Sequence, residues 1–150
     1  MNQTSEALTS IRRMDETSIR FFLTMALLAI QARAYPVALS ILNSLIALNV
    51  ALPVSRLLLA YAHCRANPGH EGRQLMLEVV EQYPGFALAR AMLALEDRAR
   101  GLEGWQGMAE SVAGGQGMAA LLAHCVLERP VAPESTQAEG LAMASHFARA

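Results

Sequence analysis

Two Ala-His-Cys tripeptides, Ala62-His63-Cys64 and Ala123-His124-Cys125, are the residues most suggestive of chemistry. Imidazole and thiolate ligate zinc and related metals, and together they form one kind of nucleophilic pair. Their spacing argues against both uses. Adjacent residues on a helix point about 100° apart, so a His-Cys neighbour pair does not readily chelate one ion. No C-x₂-C or H-x₃-H spacing occurs. A Cys-His nucleophile also needs an orienting group and an oxyanion site, and no motif supplies them. The carboxylates are scattered, with Glu78/Glu81 and Glu96/Asp97 reading as solvated helix faces. Gly114-Gly115-Gln116-Gly117 follows a short helical segment rather than a strand, which is the wrong setting for a phosphate loop. The expectation is therefore a protein that is not an enzyme, with no catalytic residue, no metal and no cofactor.

Composition points to packing instead. Of 150 residues, 53% are hydrophobic and only 17% charged, against roughly a quarter charged in an average domain. Aromatics are 5%, so apolar packing rests on Leu, Ala, Ile, Val and eight adaptable Met. That much apolar surface calls for a membrane, a partner or self-association. The net charge of −1 and the absence of a basic stripe beyond Arg12-Arg13 argue against nucleic acid. All twelve basic residues are Arg. Two cysteines make no disulfide framework, and the opening MNQTSEAL lacks a basic and an apolar region of secretory type; a reducing cytoplasm is expected. Residues 34–55 carry no charge over 22 positions, enough to span a bilayer. Pro36 and Pro53 at its ends, with Asn43, Ser44 and Asn49 between, favour a buried helix flanked by turns, so no membrane insertion is expected.

The elements that position these residues read as helices throughout, since sustained period-two alternation is absent. A short helix over residues 5–13 follows Thr4. Ser18 is the expected cap of the next helix, over 19–33. Tyr35-Pro36 ends it and opens a helix over 36–48. Further helices are expected over 53–66, 71–82, 86–100, 104–112 and 117–128, separated by Asn67-Pro68-Gly69, Tyr83-Pro84-Gly85, Gly101 and Gly114-Gly115. The domain is expected to occupy residues 1–128. Residues 129–140 contain two Pro and no periodicity, so 129–150 reads as a mobile linker and tail.

An internal repeat of 34 residues orders these helices into pairs. At that offset Met25-Ala26, Leu59-Ala60 and Leu93-Ala94 coincide, Ala38 falls on Gly72, Leu42 on Met76, Leu45 on Val79 and Val50 on Pro84. Such a period marks a two-helix unit stacked on copies of itself. Leu59-Ala60, Gly72, Met76, Val79 and Pro84 resemble the tetratricopeptide pattern, as do Leu93-Ala94 and Gly101. The third unit departs from it at Gln106 and Glu110, and the first ends on Val50 instead of Pro. The resemblance covers residues 19–113 and implies an all-α, tetratricopeptide-like solenoid of about three degenerate helical hairpins.

Small apolar proteins of this pattern resemble the chaperones of bacterial type III secretion. Ile41-Leu42-Asn43-Ser44-Leu45-Ile46-Ala47-Leu48-Asn49 is similar to the second helix of the YscY-type chaperones. Tyr83-Pro84-Gly85 followed by Leu93-Ala94-Leu95-Glu96 is similar to the YscG-type needle-subunit chaperones. Ala91-Met92-Leu93-Ala94 with Trp105 resembles the Hrp-type proteins. The resemblance implies a bacterial cytoplasmic protein that keeps a secreted or needle-type subunit soluble before export, with a co-chaperone as a further partner. The alternative is a structural adaptor that self-associates, and a homodimer is one expected form of the isolated chain.

In such a solenoid the first helix of each pair lines a concave face, and helical spacing selects its inner positions. These are Leu23, Leu27 and Ile30, then Leu57, Tyr61 and Cys64, then Ala91, Leu95 and Arg98. Eight of the nine, all but Arg98, are apolar or weakly polar and form the expected partner-binding groove, suited to the apolar face of a helix. The competing reading is that this stripe is core.

Overall fold

A computed structural model of the chain describes residues 14–67 and 69–128. Among them are seven α-helices and no strand: α1 (Glu16–Gln31), α2 (Tyr35–Ala47), α3 (Leu52–Ala66), α4 (Glu71–Gln82), α5 (Ala87–Ala99), α6 (Trp105–Ala113) and α7 (Gly117–Leu127). The protein is all-α. Successive first helices begin at residues 16, 52 and 87, and successive second helices at 35, 71 and 105, so the pairs recur every 34–36 residues. The expected helix over 5–13 and the expected mobile tail over 129–150 lie outside the described residues.

Local chemistry sets the helix ends. Asp15, not Ser18, caps α1: its carboxylate accepts the Ser18 backbone N–H at 3.2 Å. Ser18 is the third helical residue, where the amide needs an acceptor. The Ser18 side chain, and after it the Ser18 backbone N–H, hold the Asp15 carboxyl below its ordinary pKa of 3.8 by hydrogen bonding. Three helices close with the same motif. A left-handed residue, at Arg33, Asn49 and Gly101, follows α1, α2 and α5. In each case the next N–H turns back to the carbonyl five residues earlier: Ala34 to Ala29, Val50 to Leu45, Leu102 to Asp97. Ala51 is left-handed as well, with φ 45°. This reversal at 49–51 divides the uncharged stretch 34–55 between α2 and α3. No helix among the described residues is long and apolar enough to cross a membrane.

The chain forms two compact units, Met1–Val79 and Val80–Ala150, dividing within α4. In the first, α1, α2 and α3 pack on one another around Ala26, Ile30, Ala38, Leu42, Leu58 and Ala62. Ser55 is fully buried and its Oγ donates to the Val50 carbonyl at 3.1 Å, tying the start of α3 to the preceding turn. Gly72 brings α4 against α3: a Cβ there would lie 2.4 Å from the Cys64 nitrogen. In the second unit α5, α6 and α7 pack pairwise around Ala91, Ala94, Ala109, Val112, Ala123 and Val126.

The repeat positions have a common physical meaning. Ala26, Ala60 and Ala94 are all fully buried. Ala38 and Gly72 are buried at equivalent places, as are Leu42 and Met76, and Leu45 and Val79. Small residues recur where a neighbouring helix approaches, and larger ones where the core must be filled.

Candidate functional site

The eight expected groove residues divide by accessibility. Leu57 is 1% exposed, and Ile30, Cys64 and Ala91 are buried too. Leu23 and Tyr61 are part-buried against the α1–α2–α3 core. Leu27 and Leu95 stand out at 39% and 43% exposure. A partner can reach Leu27 and Leu95 directly, and Leu23 and Tyr61 at their edges. It reaches the other four only by opening a unit. Helical spacing finds the inner face of a helix but does not say whether the neighbouring helix has already filled it.

Arg98, the ninth position, is a clamp within the second unit. Its Nη1 donates to the Val126 carbonyl at 2.6 Å, its other terminal nitrogen pairs with Glu128, and its guanidinium stacks 5.3 Å from the centre of the Trp105 ring. A cation at the carbonyl end of α7 also opposes the helix dipole. Beside it, Asp97 is buried, which corrects the expectation of a solvated face there; Glu96 is part-buried and pairs with Arg100 at 2.6 Å.

The most exposed apolar surface among the described residues is on α1. Phe21 and Leu28 are 58% and 52% exposed, with Met25 at 40% and Phe22 close behind. Phe21 and Phe22 meet edge to face, ring centres 5.6 Å apart. Helical spacing puts Phe21, Met25 and Leu28 in one row, well round the helix from Leu23, Leu27 and Ile30. Selecting only one face of α1 missed this row. The signal was available: nine of the ten residues of FFLTMALLAI are apolar, more than one buried face requires.

Two open clefts lie within the first unit. One is lined by Asn43, Ile46, Arg56, Leu59, Leu75, Glu78 and Val79. The other lies beside the α1 row and is walled by Met14, Phe22, Ile41, Leu45 and Leu48, with Ser40 and Ser44. The His-Cys pairs do not build a centre. Cys64 is buried and His63 faces Glu71 at 3.6 Å, while Cys125 is exposed. No group of three or more His, Cys, Asp or Glu placed to hold a metal occurs among the described residues.

The chain matches no family model, no curated protein and no solved structure. Its own geometry shows short α-helices, alternate members of which begin every 34–36 residues, with large apolar side chains exposed on α1.

Proposed function

We propose that this chain is a tetratricopeptide-like chaperone of bacterial type III secretion, holding an apolar helix of a secreted or needle-type subunit in the cytoplasm before export. One observation carries the reading: α1 buries Ala26 and Ile30 on one face, yet large apolar side chains on both its flanks remain exposed. Such a surface suits contact with another helix. The 34–36-residue recurrence of helix pairs, the shared burial of Ala26, Ala60 and Ala94, and the close approach at Gly72 support the tetratricopeptide-like arrangement.

The client contact is assigned to Leu27 with the edges of Leu23 and Tyr61. Covering a few hundred Å² of such surface contributes roughly 25 cal/mol per Å² before the cost of ordering the partner. Leu27→Glu keeps its charge in water in the free chain but loses hydration against an apolar client, so binding falls sharply while folding persists. Leu57→Glu places the same charge in the core and unfolds the unit. Capture from native cytoplasm, read by mass spectrometry, should recover an export subunit with wild type and lose it with Leu27→Glu. Recovery unaffected by that substitution refutes the assignment.

A further inference from the structure

The outer row of α1 has the spacing of a coiled-coil seam. Ser18, Phe21, Met25 and Leu28 follow one another at intervals of three, four and three, and Met14 and Ala32 continue the alternation just beyond the helix ends. Later repeats show what this face ordinarily meets. The residues 34 positions on from Phe21 and Leu28 are Ser55 and Ala62, both fully buried. Ala62 lies in the core with Ala38 and Leu42 of α2, so on α3 this face is covered by the preceding hairpin. On α1 no described residue takes that place, yet the side chains are Phe, Met and Leu. A solenoid end that meets only water carries a polar outer face.

We propose that the seam is a self-association site, at which two copies of this chain pack through antiparallel α1 helices about a two-fold axis near residue 23. The seam is symmetric about that residue: 21 and 25 lie two positions away, 18 and 28 five, 14 and 32 nine. An isologous contact requires this, since residue i must meet j while j meets i. The pairs are complementary in size as well. Antiparallel alignment sets small Ser18 against Leu28, Met14 against Ala32, and flexible Met25 against the Phe21 ring, a favourable sulfur–aromatic combination. Parallel alignment would oppose Phe to Phe and Ser to Ser and would align the helix dipoles.

Charge permits the contact. The two charged side chains of α1, Glu16 and Arg20, pair with each other at 2.5 Å on the far side of the helix. The area suits a weak, reversible dimer. Phe21, Phe22, Met25 and Leu28 are 38–58% exposed. At about 200 Å² a side chain they offer roughly 400 Å² per copy, so two copies bury about 800 Å² from these alone. The adjoining cleft at Phe22, Ile41 and Leu48 extends the contact towards the lower range of specific interfaces. The site is separate from the client contact, because Leu27 lies on the opposite flank of α1.

Sedimentation velocity of the full chain from about 1 to 100 µM tests the site, a range that brackets weak specific association. The expected result is a monomer–dimer equilibrium that Met25→Glu weakens at least about tenfold, with helicity and melting midpoint unchanged because Met25 is exposed. Orientation is read by cross-linking in a Cys125→Ser background. A Ser18→Cys chain mixed with a Leu28→Cys chain should form a mixed disulfide, and Ser18→Cys alone should not. Leu27→Glu should leave the dimer intact, so loss of client binding and loss of the dimer are told apart. Three outcomes overturn the proposal. One is a chain monomeric throughout, whether residues 1–13 or a foreign helix then covers the seam. The others are a dimer indifferent to Met25→Glu and a disulfide between two Ser18→Cys chains.

Discussion

Gly72→Ala sets two opposing effects against each other at one position. Alanine is the better helix former by about 1 kcal/mol, and less than that in a first turn, where Gly72 sits. Against this, the new methyl would lie 2.4 Å from the Cys64 nitrogen, 2.6 Å from its sulfur and 2.8 Å from its Cα. Two of these three atoms are backbone and cannot rotate away, so α4 must move off α3. Overpacking of this kind costs about 1–3 kcal/mol. The clash therefore wins, by about 1–2 kcal/mol, which is roughly 3–6 °C in melting midpoint for a chain of this size. The same substitution at Gly107, in the first turn of α6, meets nothing within 4 Å and should stabilise by somewhat less than about 1 kcal/mol. Thermal and urea unfolding followed by circular dichroism measures both variants. If Gly72→Ala is as stable as wild type or more so, the close approach of α4 to α3 is wrong, and with it the reason for a small residue at the repeat position shared with Ala38.

Other expectations follow from single side chains. Arg98→Ala removes a charge-assisted hydrogen bond to Val126 and the stacking on Trp105, and should cost the second unit about 2 kcal/mol, read by Trp105 fluorescence in denaturant. The exposed pairing with Glu128 adds little, so Glu128→Gln should be nearly silent. Ala51→Gly relieves a left-handed alanine and should stabilise by about 1 kcal/mol in a urea titration; destabilisation would contradict the backbone at that turn. Because the Asp15 carboxyl is held below its ordinary value, its capping contribution is complete above about pH 4 and lost as pH falls through the folded-state pKa. Amide exchange at the start of α1 should therefore accelerate in acid. Asp15→Asn, which caps without titrating, should remove that dependence.

Helix boundaries were largely legible because their causes are local. Pro36, Pro53, Tyr83-Pro84-Gly85, Gly101 and Gly114-Gly115 act through their own backbone restrictions, and each of the seven described helices fell within a few residues of its expected span. The cap of α1 was misplaced by three residues, since Asp15 and Ser18 are both good caps and only the direction of one hydrogen bond separates them. The left-handed turn at Asn49 and Ala51 carried no glycine to announce it.

The sequence by itself determined that the chain is helical, where it breaks, and that Ala26, Ala60 and Ala94 recur at one position of a 34-residue repeat. Periodicity and proline or glycine chemistry need only a few neighbouring residues. Only the tertiary structure decided which apolar side chains stay outside. Leu27 follows Ala26 by one residue and Leu57 precedes Ala60 by three, and helical spacing assigns both to the inner face. Leu57 is enclosed and Leu27 is not; likewise Asp97 is buried and Phe21 exposed. Exposure depends on which helix, distant in sequence, lies alongside. For α3 that neighbour is the preceding hairpin, and for the outer face of α1 no described part of the chain provides one.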